Sequence, residues 1–319
     1  MTITKEHELP PTKARVLKKA TRLEWLTIVY LLSAIVFIYL TLGSSQAMKI
    51  AWLEDMLSLI PPIVFLITTR VRTRSPSQRF PYGYHRAVSI GYLCASLALF
   101  LMGAFLLLDS SMKLLSAEHP TIGTVRLFGH TIWLGWLMLP ALAWSALPAA
   151  ILGRIKMPLA RQLHDKILLA DAKMNKADWL TAAAAMAGVI GIAYGLWWAD
   201  AVAAMVISFD ILYDGVENLK IVVTDLMDRA PVQVGEESLD PLRTRAERAL
   251  EDLPWVREAQ VRLREEGHVY FGEAFVVPRT EDGLVRKIEE AVEGLHALDW
   301  RLHDIVITPV ARLDPVQAS

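Results

Sequence analysis

The sequence predicts an α-helical integral membrane protein with six transmembrane helices, followed by a C-terminal α+β domain on the cytoplasmic side. Two observations predict this class: long apolar segments fill residues 23–222, and an ordinary soluble pattern with charges throughout begins after Pro231. The 319-residue chain is 54% hydrophobic and has a mean hydropathy of +0.34, which is more apolar than a soluble domain of this size. Its single cysteine excludes an intrachain disulfide.

Six stretches have the length and composition needed to cross a bilayer, about 20 mainly apolar residues at a rise of about 1.5 Å each. They are residues 23–42, 50–69, 87–108, 127–152, 167–196 and 197–222. The fourth and fifth are long enough to tilt or to protrude. The chain therefore divides into a cytoplasmic arm (1–22), a transmembrane domain (23–222), a linker (223–232) and a cytosolic domain (233–319).

Lysine and arginine are concentrated in alternate loops, which predicts the orientation of the spans. The rich regions are the N-terminal arm and the loops after spans two and four, with Lys13, Arg15, Lys18, Lys19, Arg22, Arg70, Arg72, Arg74, Arg79, Arg86, Arg154, Lys156, Arg161 and Lys166. Short cytoplasmic loops are enriched in these residues. Both chain ends are therefore predicted to be cytoplasmic, and a bacterial inner membrane is the expected location.

The last part of the chain has the pattern of an αββαβ domain. Residues 238–253 and 281–298 have the periodicity of amphipathic helices, and residues 256–264, 268–277 and 303–310 are predicted strands. This order predicts two helices layered on a three-stranded sheet. His268, His296 and His303 are scattered through it and are expected at the surface.

The fifth span carries polar residues that a membrane helix rarely contains. Asp171, Met174, Asn175 and Asp178 are spaced i, i+3, i+4 and i+7, which places them on one helix face. Ionisable groups at bilayer depth are costly and are therefore functional candidates. For Asp171 and Lys173 the alternative is a cytoplasmic extension of this long helix. The same alternative is weaker for Asp178, which lies about 16 Å along the helix from Ile167.

Two other spans contribute acidic groups. Span two contains Asp55 and Ser58 ahead of Pro61-Pro62, a pair that removes helical hydrogen bonds and favours a kink lining a cavity. The alternative is that Asp55 lies near the outer surface. Span six contains Asp210, which is a candidate partner of a lysine on span five. Oxygen ligands on facing helices suit a hard cation or a proton, and the candidate metal ligands are Asp178, Asp171, Asp55, Asn175, Ser58 and Asp210.

Several short motifs along nearly the whole chain resemble the cation diffusion facilitator family. They are Ser44-Ser45, Leu53-Glu54-Asp55, Phe80-Pro81-Tyr82-Gly83-Tyr84-His85-Arg86, Gly103 with Asp109-Ser110-Ser111-Met112, Ala170-Asp171 with Asp178, Trp198-Ala199-Asp200, and Leu226-Met227-Asp228-Arg229-Ala230-Pro231. The resemblance implies a homodimeric exporter of divalent metals, commonly zinc, in exchange for protons. It also implies a ferredoxin-like fold for the cytosolic domain.

The sequence departs from the metal sites that the resemblance implies. The family's transport site pairs a His or Asp with an Asp four residues later on spans two and five, and these positions are Ser58, Pro62, Met174 and Asp178 here. Only Asp178 keeps the residue type, so tetrahedral zinc from His and Asp is not expected. The usual loop and tail histidines are also replaced.

The leading hypothesis is therefore a proton-coupled secondary transporter that exports a divalent cation as a homodimer in the lipid bilayer. One alternative is a non-transporting relative that acts as a membrane scaffold or regulatory subunit. Another is a carrier for a non-metal substrate, with Lys173 and Lys176 contacting an anionic group. No phosphate loop or nucleophile triad is recognisable, so neither enzyme activity nor a bound cofactor nor a nucleic-acid partner is expected.

Overall fold

A computed structural model describes residues 9–41, 52, 54–116, 123–127, 130–194, 196, 198–236 and 238–313. The first part of the chain contains the helices α1 (Pro11–Thr41), α2 (Ile60–Arg72), α3 (Arg86–Leu115), α4 (Gly135–Leu163), α5 (Lys166–Ala193) and α6 (Ala199–Leu226). A short antiparallel hairpin of β1 (Thr124–Leu127) and β2 (His130–Trp133) precedes α4.

Three of these helices, α1, α3 and α4, are long and apolar enough to cross a membrane, by length and composition within the described residues. The outer face of α1 exposes Trp25, Leu26 and Val29, as expected of a surface against lipid. For α2, α5 and α6 a full crossing stays a prediction. The predicted first residues of spans two and six, Ile50 and Trp197, lie outside the described residues.

The fourth span was predicted to begin too early. Leu127 and residues 130–133 belong to the hairpin, because Thr131 and Ile132 are β-branched and favour an extended backbone. At the other end, α4 continues to Leu163, since apolar side chains recur on its buried face beyond Leu152. The basic segment assigned to a loop is therefore largely helical.

Glycines bring the helices into close pairs. A Cβ atom at Gly103 of α3 would lie 2.6 Å from the backbone nitrogen of Leu212 in α6, and one at Gly215 would lie 2.6 Å from the Cα atom of Phe100. A Cβ at Gly153 of α4 would lie 3.2 Å from a backbone oxygen of α5. The bundle therefore contains two tightly packed pairs, α3 with α6 and α4 with α5.

The C-terminal region confirms the αββαβ order. Its elements are α7 (Leu242–Glu251), β3 (Val256–Glu266), β4 (Val269–Pro278), α8 (Leu284–Leu298) and β5 (Leu302–Pro309). Strand β4 is central, antiparallel to β3 and parallel to β5. Alternate side chains such as Val261 and Leu263 point into a core shared with the two helices.

The turn between β3 and β4 packs against the helical bundle at the start of α3. A Cβ atom at Gly267, in this turn, would lie 2.8 Å from the carbonyl oxygen of His85. His268 and His303 are buried, and the partly buried His296 contacts the Leu302 carbonyl at 2.7 Å. The prediction of a surface position is wrong for His268 and His303, because the helical domain covers their face of the sheet, whereas His296 is partly exposed.

Candidate functional site

The helix that contains Asp55 and Ser58 is interrupted near the middle of the bundle. Residues 54–57 are helical, residues 58–59 form a turn, and α2 then starts with Pro61 and Pro62 in its first turn. Proline has no backbone N–H, so the carbonyls of Leu57 and Ser58 cannot accept the regular hydrogen bond from four residues ahead. The predicted kink is confirmed, and it frees backbone oxygens beside Ser58.

Two buried carboxylates face each other across this break, and we call Asp55, Ser58, Ser145 and Asp178 the acidic group. The Ser58 hydroxyl donates to Oδ1 of Asp178 on α5 at 2.6 Å. The Ser145 hydroxyl on α4 donates to Oδ1 of Asp55 at 3.2 Å. Asp55 and Asp178 are only 4% exposed, and the depth of Asp55 in the membrane stays a prediction.

The acidic group lacks a basic partner within the described residues. Asp178 interacts electrostatically with Asp55 and Glu54, which carry the same charge. The side chains bonded to Asp55 and Asp178 are serine hydroxyls, and no described lysine or arginine forms an ion pair with either carboxylate. Buried charges are normally paired with opposite charge. The two carboxyl groups are therefore available to a cation or to protons.

Asp171 and Asn175 belong to a different cluster from Asp178. The carboxylate of Asp171 forms a salt bridge with Lys156 of α4, and the Asn175 amide donates to the Asp171 backbone oxygen at 2.8 Å. Lys156 also pairs with Glu24 of α1 at 3.0 Å. Asp171 is completely buried, and whether it lies within the bilayer or on a cytoplasmic extension of the helix stays open.

Sequence reasoning missed Lys156 and Glu24. Lys156 was assigned to a cytoplasmic loop because it lies among arginines, yet its side chain is 0% exposed. Ala149, Leu152, Lys156 and Leu159 recur at steps of three and four residues, so a helical face continues through Lys156. That periodicity is the signal that could have placed this lysine inside the bundle.

Lys173 of α5 has its partners on the neighbouring helix α6. Lys173 forms a bond to Asp214 at 3.1 Å and lies 3.6 Å from Glu217. The side chain of Asp210 lies outside the described residues, so its predicted pairing and its place among the metal ligands stay predictions. Lys173 neutralises the carboxylate of Asp214.

The described donors limit how a metal ion could be held. Within the described ranges, no group of three or more His, Cys, Asp or Glu side chains comes together. A cation between Asp55 and Asp178 could take further ligands from Ser58, from the freed carbonyls and from water. Such an all-oxygen set suits hard divalent ions better than zinc or copper.

A second charged network joins the two domains, and we call it the junction network. Its members are Arg72, His164, Asp165, Lys166, Asp225, Glu265 and His268. Lys166 bonds to Asp225 at 2.6 Å and to Glu265 at 2.9 Å. Arg72 contacts Nδ1 of His268 at 3.0 Å and Oδ2 of Asp165 at 3.5 Å.

The pKa of Glu265 reports how well the junction network is balanced. Burial alone would raise the pKa of this carboxyl group, but Lys166 and His164 outweigh that effect and the pKa is lowered from its ordinary value. Each carboxylate of the network lies against a basic group: Asp165 against Arg72, and both Asp225 and Glu265 against Lys166. The network therefore stabilises the contact between the domains.

Comparison with known proteins matches residues 24–227 to the cation efflux transmembrane domain. The manganese efflux system protein MneS of Bacillus subtilis is 28% identical over 180 residues, which cover 55% of this chain and 57% of that protein. The magnetosome protein MamB of Paramagnetospirillum magneticum is 25% identical over 165 residues, 51% of each chain. Mitochondrial metal transporter 1 of Saccharomyces cerevisiae is 20% identical over 205 residues, 58% of this chain and 39% of that protein.

The chain spans about half the length of the curated relatives it matches, as the 57% and 53% coverage of the two Bacillus subtilis relatives illustrates. The family match contains the acidic group, the helix break and the cluster around Lys156.

Proposed function

Because the chain belongs to the cation efflux family, a family of transporters and not of enzymes, we propose that it exports a divalent metal cation in exchange for protons. The observation that carries the proposal is the acidic group, in which Asp55 and Asp178 are buried together without a basic partner among the described residues. A divalent cation would supply the missing positive charge. Protons would replace it during the return step, since carboxylates bind either.

Manganese is the cargo that the ligand chemistry favours. Carboxylate, hydroxyl and carbonyl oxygens suit Mn²⁺, whereas zinc prefers His and Cys ligands that the described residues do not bring together here. The manganese efflux named for the Bacillus subtilis relative agrees with this choice. Met174 and Pro62 stand where the family resemblance places metal ligands, so the proposed site depends on Asp55 in their place.

We propose the complete architecture on the same basis. Six spans with both chain ends in the cytoplasm would place the C-terminal domain beside the basic loops, and its αββαβ order supports a ferredoxin-like fold. The exporter would act as a homodimer that opens alternately to the two sides. Multi-angle light scattering of the detergent complex tests the dimer, which would have twice the chain mass of 35.7 kDa.

The export proposal is tested with the full chain reconstituted into liposomes that contain a pH-sensitive dye. Mn²⁺, Zn²⁺, Fe²⁺, Co²⁺, Cd²⁺ and Mg²⁺ are added one at a time outside, and proton flux is followed. We expect Mn²⁺ to drive proton movement in wild-type liposomes and not in those with Asp178→Asn. The absence of proton flux with every one of these cations, or full flux in Asp178→Asn, would contradict the proposal.

The same assay separates the alternative functions. A non-transporting subunit is suggested by Ser58, Pro62 and Met174, which replace family metal ligands. This alternative predicts that the purified chain shows no flux by itself and that a second family member co-purifies with it. The carrier of anionic substrates is disfavoured because Lys173 is bonded to Asp214. Inhibition of the Mn²⁺-driven flux by organic anions would support a carrier of anionic substrates.

A further inference from the structure

Four basic side chains lie together at the start of α1, and we call Arg15, Lys18, Lys19 and Arg22 the basic patch. All four are exposed. The last three follow Arg15 by three, four and seven residues, so the four side chains share one face of the helix. Among the residues that the structure describes, none of the four takes part in an ion pair. The patch is therefore a surface of uncompensated positive charge.

The basic patch continues directly into the apolar face that α1 exposes. Trp25, Leu26 and Val29 follow Arg22 by three, four and seven residues, which places them on the same face of the helix. Their exposed fractions are 58%, 55% and 63%. The opposite face of α1, with Ala20 at 0% exposure, packs into the bundle. One face of a single helix is therefore basic in its first turns and apolar beyond them.

The change from basic to apolar side chains falls at the edge of the membrane domain. The match to the transmembrane domain of the family begins at residue 24. The 31 residues of α1 span about 46 Å, whereas the hydrocarbon core of a bilayer is about 30 Å thick. Tryptophan is enriched at the interface between hydrocarbon and headgroups. Lys18, Lys19 and Arg22 lie about 4–10 Å ahead of Trp25 along the helix, which is the depth of the headgroup layer and its surface.

We propose that the basic patch binds the headgroups of anionic phospholipids in the leaflet that surrounds the first turns of α1. The arginine and lysine side chains donate to phosphate oxygens, and Trp25 and Leu26 contact the acyl chains of the same lipids. Each basic residue beside an anionic membrane surface raises the affinity by about fivefold. An acidic protein would match the charge but not the apolar side chains that continue the same face, so lipid is the occupant that fits both parts. This binding is independent of the exported ion.

Native mass spectrometry of the full chain tests the proposal by measuring the affinity for single lipids. Phosphatidylglycerol and phosphatidylcholine, which differ in headgroup charge, are added separately to the detergent complex. We expect wild type to bind phosphatidylglycerol more tightly than phosphatidylcholine. Lys19→Gln should weaken phosphatidylglycerol binding by about fivefold, and glutamine at all four positions of the patch should weaken it by more than about 100-fold. Phosphatidylcholine binding should not change in either variant.

Lys13→Gln is the matched control for Lys19→Gln, because it removes the same charge from the other side of the same helix. The Lys13 ammonium donates to the Gln162 carbonyl at 2.6 Å and lies 5.8 Å from the centre of the Trp300 ring, so it has partners within the protein. Lys13→Gln should keep the wild-type affinity for phosphatidylglycerol. Equal affinity of wild type for the two lipids, or equal losses in Lys13→Gln and Lys19→Gln, would overturn the proposal.

A second measurement uses only the wild-type protein and does not depend on the folding of a variant. The full chain is placed in nanodiscs of phosphatidylcholine with or without phosphatidylglycerol, and a lysine-acetylating reagent is added. Mass spectrometry then gives the extent of modification at each lysine. We expect phosphatidylglycerol to protect Lys18 and Lys19 and to leave the modification of Lys13 unchanged.

Two results of the labelling would overturn the proposal. Equal modification of Lys18 and Lys19 in the two kinds of nanodisc would show that lipid charge is not recognised, and an acidic protein would then be the better candidate partner. The same protection by soluble glycerol phosphate in pure phosphatidylcholine would indicate a site for free anions instead of lipid. A chain that binds phosphatidylglycerol but transports no cation would defeat the export function alone.

Discussion

The acidic group and the junction network are both buried clusters of charge, but they differ in balance. In the acidic group, Asp55 and Asp178 are bonded to serine hydroxyls. In the junction network, Lys166 alone bonds to two carboxylates, at 2.6 and 2.9 Å. The difference separates charges that stabilise the fold from charges that are available to a ligand. The cluster of Glu24, Lys156 and Asp171 lies between these cases, since one ammonium faces two carboxylates.

The comparison also explains the arrangement of the molecule. The junction network lies where the C-terminal domain contacts the helices, beside the β3–β4 turn. The unbalanced groups lie inside the bundle on α1, α4 and α5 and at the break. Burying an unpaired charge is costly, so such groups persist where the chain uses them. A substitution should therefore affect transport in one region and stability in the other.

The largest effect is expected from Asp178→Asn. This change keeps the shape and the hydrogen bond from Ser58 but removes one of the two buried charges of the acidic group. Losing a charged ligand worth about 3 kcal/mol lowers cation affinity by about 100-fold, and transport in liposomes should fall to background. The melting temperature in detergent should not decrease. A folded Asp178→Asn protein with wild-type transport would end the proposed role of this residue.

The next largest effect is expected from Lys166→Met, which leaves Asp225 and Glu265 buried without their ammonium partner. Breaking one partner of a buried pair costs about 3–5 kcal/mol. The thermal stability of the detergent complex should fall, and the β3–β4 turn should become sensitive to protease. Lys113→Met is the matched control, because its pair with Asp109 is partly exposed and is worth about 1 kcal/mol or less. Equal stability losses in the two variants would contradict the difference in burial.

A smaller effect is expected from Ser58→Ala. Its hydroxyl donates to Asp178, and one hydrogen bond of this kind is worth about 1–2 kcal/mol. The KM for Mn²⁺ should rise by about 5–20-fold while the maximal rate changes little. Ser111→Ala is the control, since that hydroxyl bonds to the Leu107 carbonyl of its own helix. A KM that is unchanged in Ser58→Ala would remove Ser58 from the site.

The smallest effect concerns pH and the junction network. The pKa of Glu265 is lowered in the folded protein, so its ionised form contributes stability above the ordinary pKa of about 4.3. That contribution is lost as pH falls through the lowered value. The difference in unfolding temperature between wild type and Glu265→Gln should be constant at neutral pH and shrink below about pH 4. A difference in unfolding temperature that grows as pH falls would show that the pKa of Glu265 is raised in the folded protein, which contradicts the prediction.

Local patterns predicted the C-terminal domain well. The alternation from Val256 to Arg264 and the glycine at 267 predict β3 and its turn. The observed strand ends at Glu266, two residues beyond the predicted end. These features depend on neighbours in sequence. The burial of His268 does not depend on neighbours in sequence, because it comes from contact with Arg72, which lies 196 positions away. Contacts between residues so far apart produce no periodic pattern in the sequence.

The candidate site was predicted in part for a similar reason. The spacing on α5 placed Asp171 and Asp178 on one face, and the structure agrees. It did not show that Lys156 pairs with Asp171 while Asp178 faces Ser58. Which partner a buried carboxylate meets depends on how α4 packs against α5. The helix break could be predicted because proline acts locally, through its missing N–H.

The most direct test of the account is the stoichiometry of cation binding to the purified full chain. Equilibrium dialysis against Mn²⁺ followed by elemental analysis gives the number of ions per chain in wild type, Asp178→Asn and Lys166→Met. We expect wild type to bind one Mn²⁺ ion per chain. Asp178→Asn should lose this ion, and the folded fraction of Lys166→Met should keep it. Equal binding by wild type and Asp178→Asn, or loss of the ion in folded Lys166→Met, would contradict it.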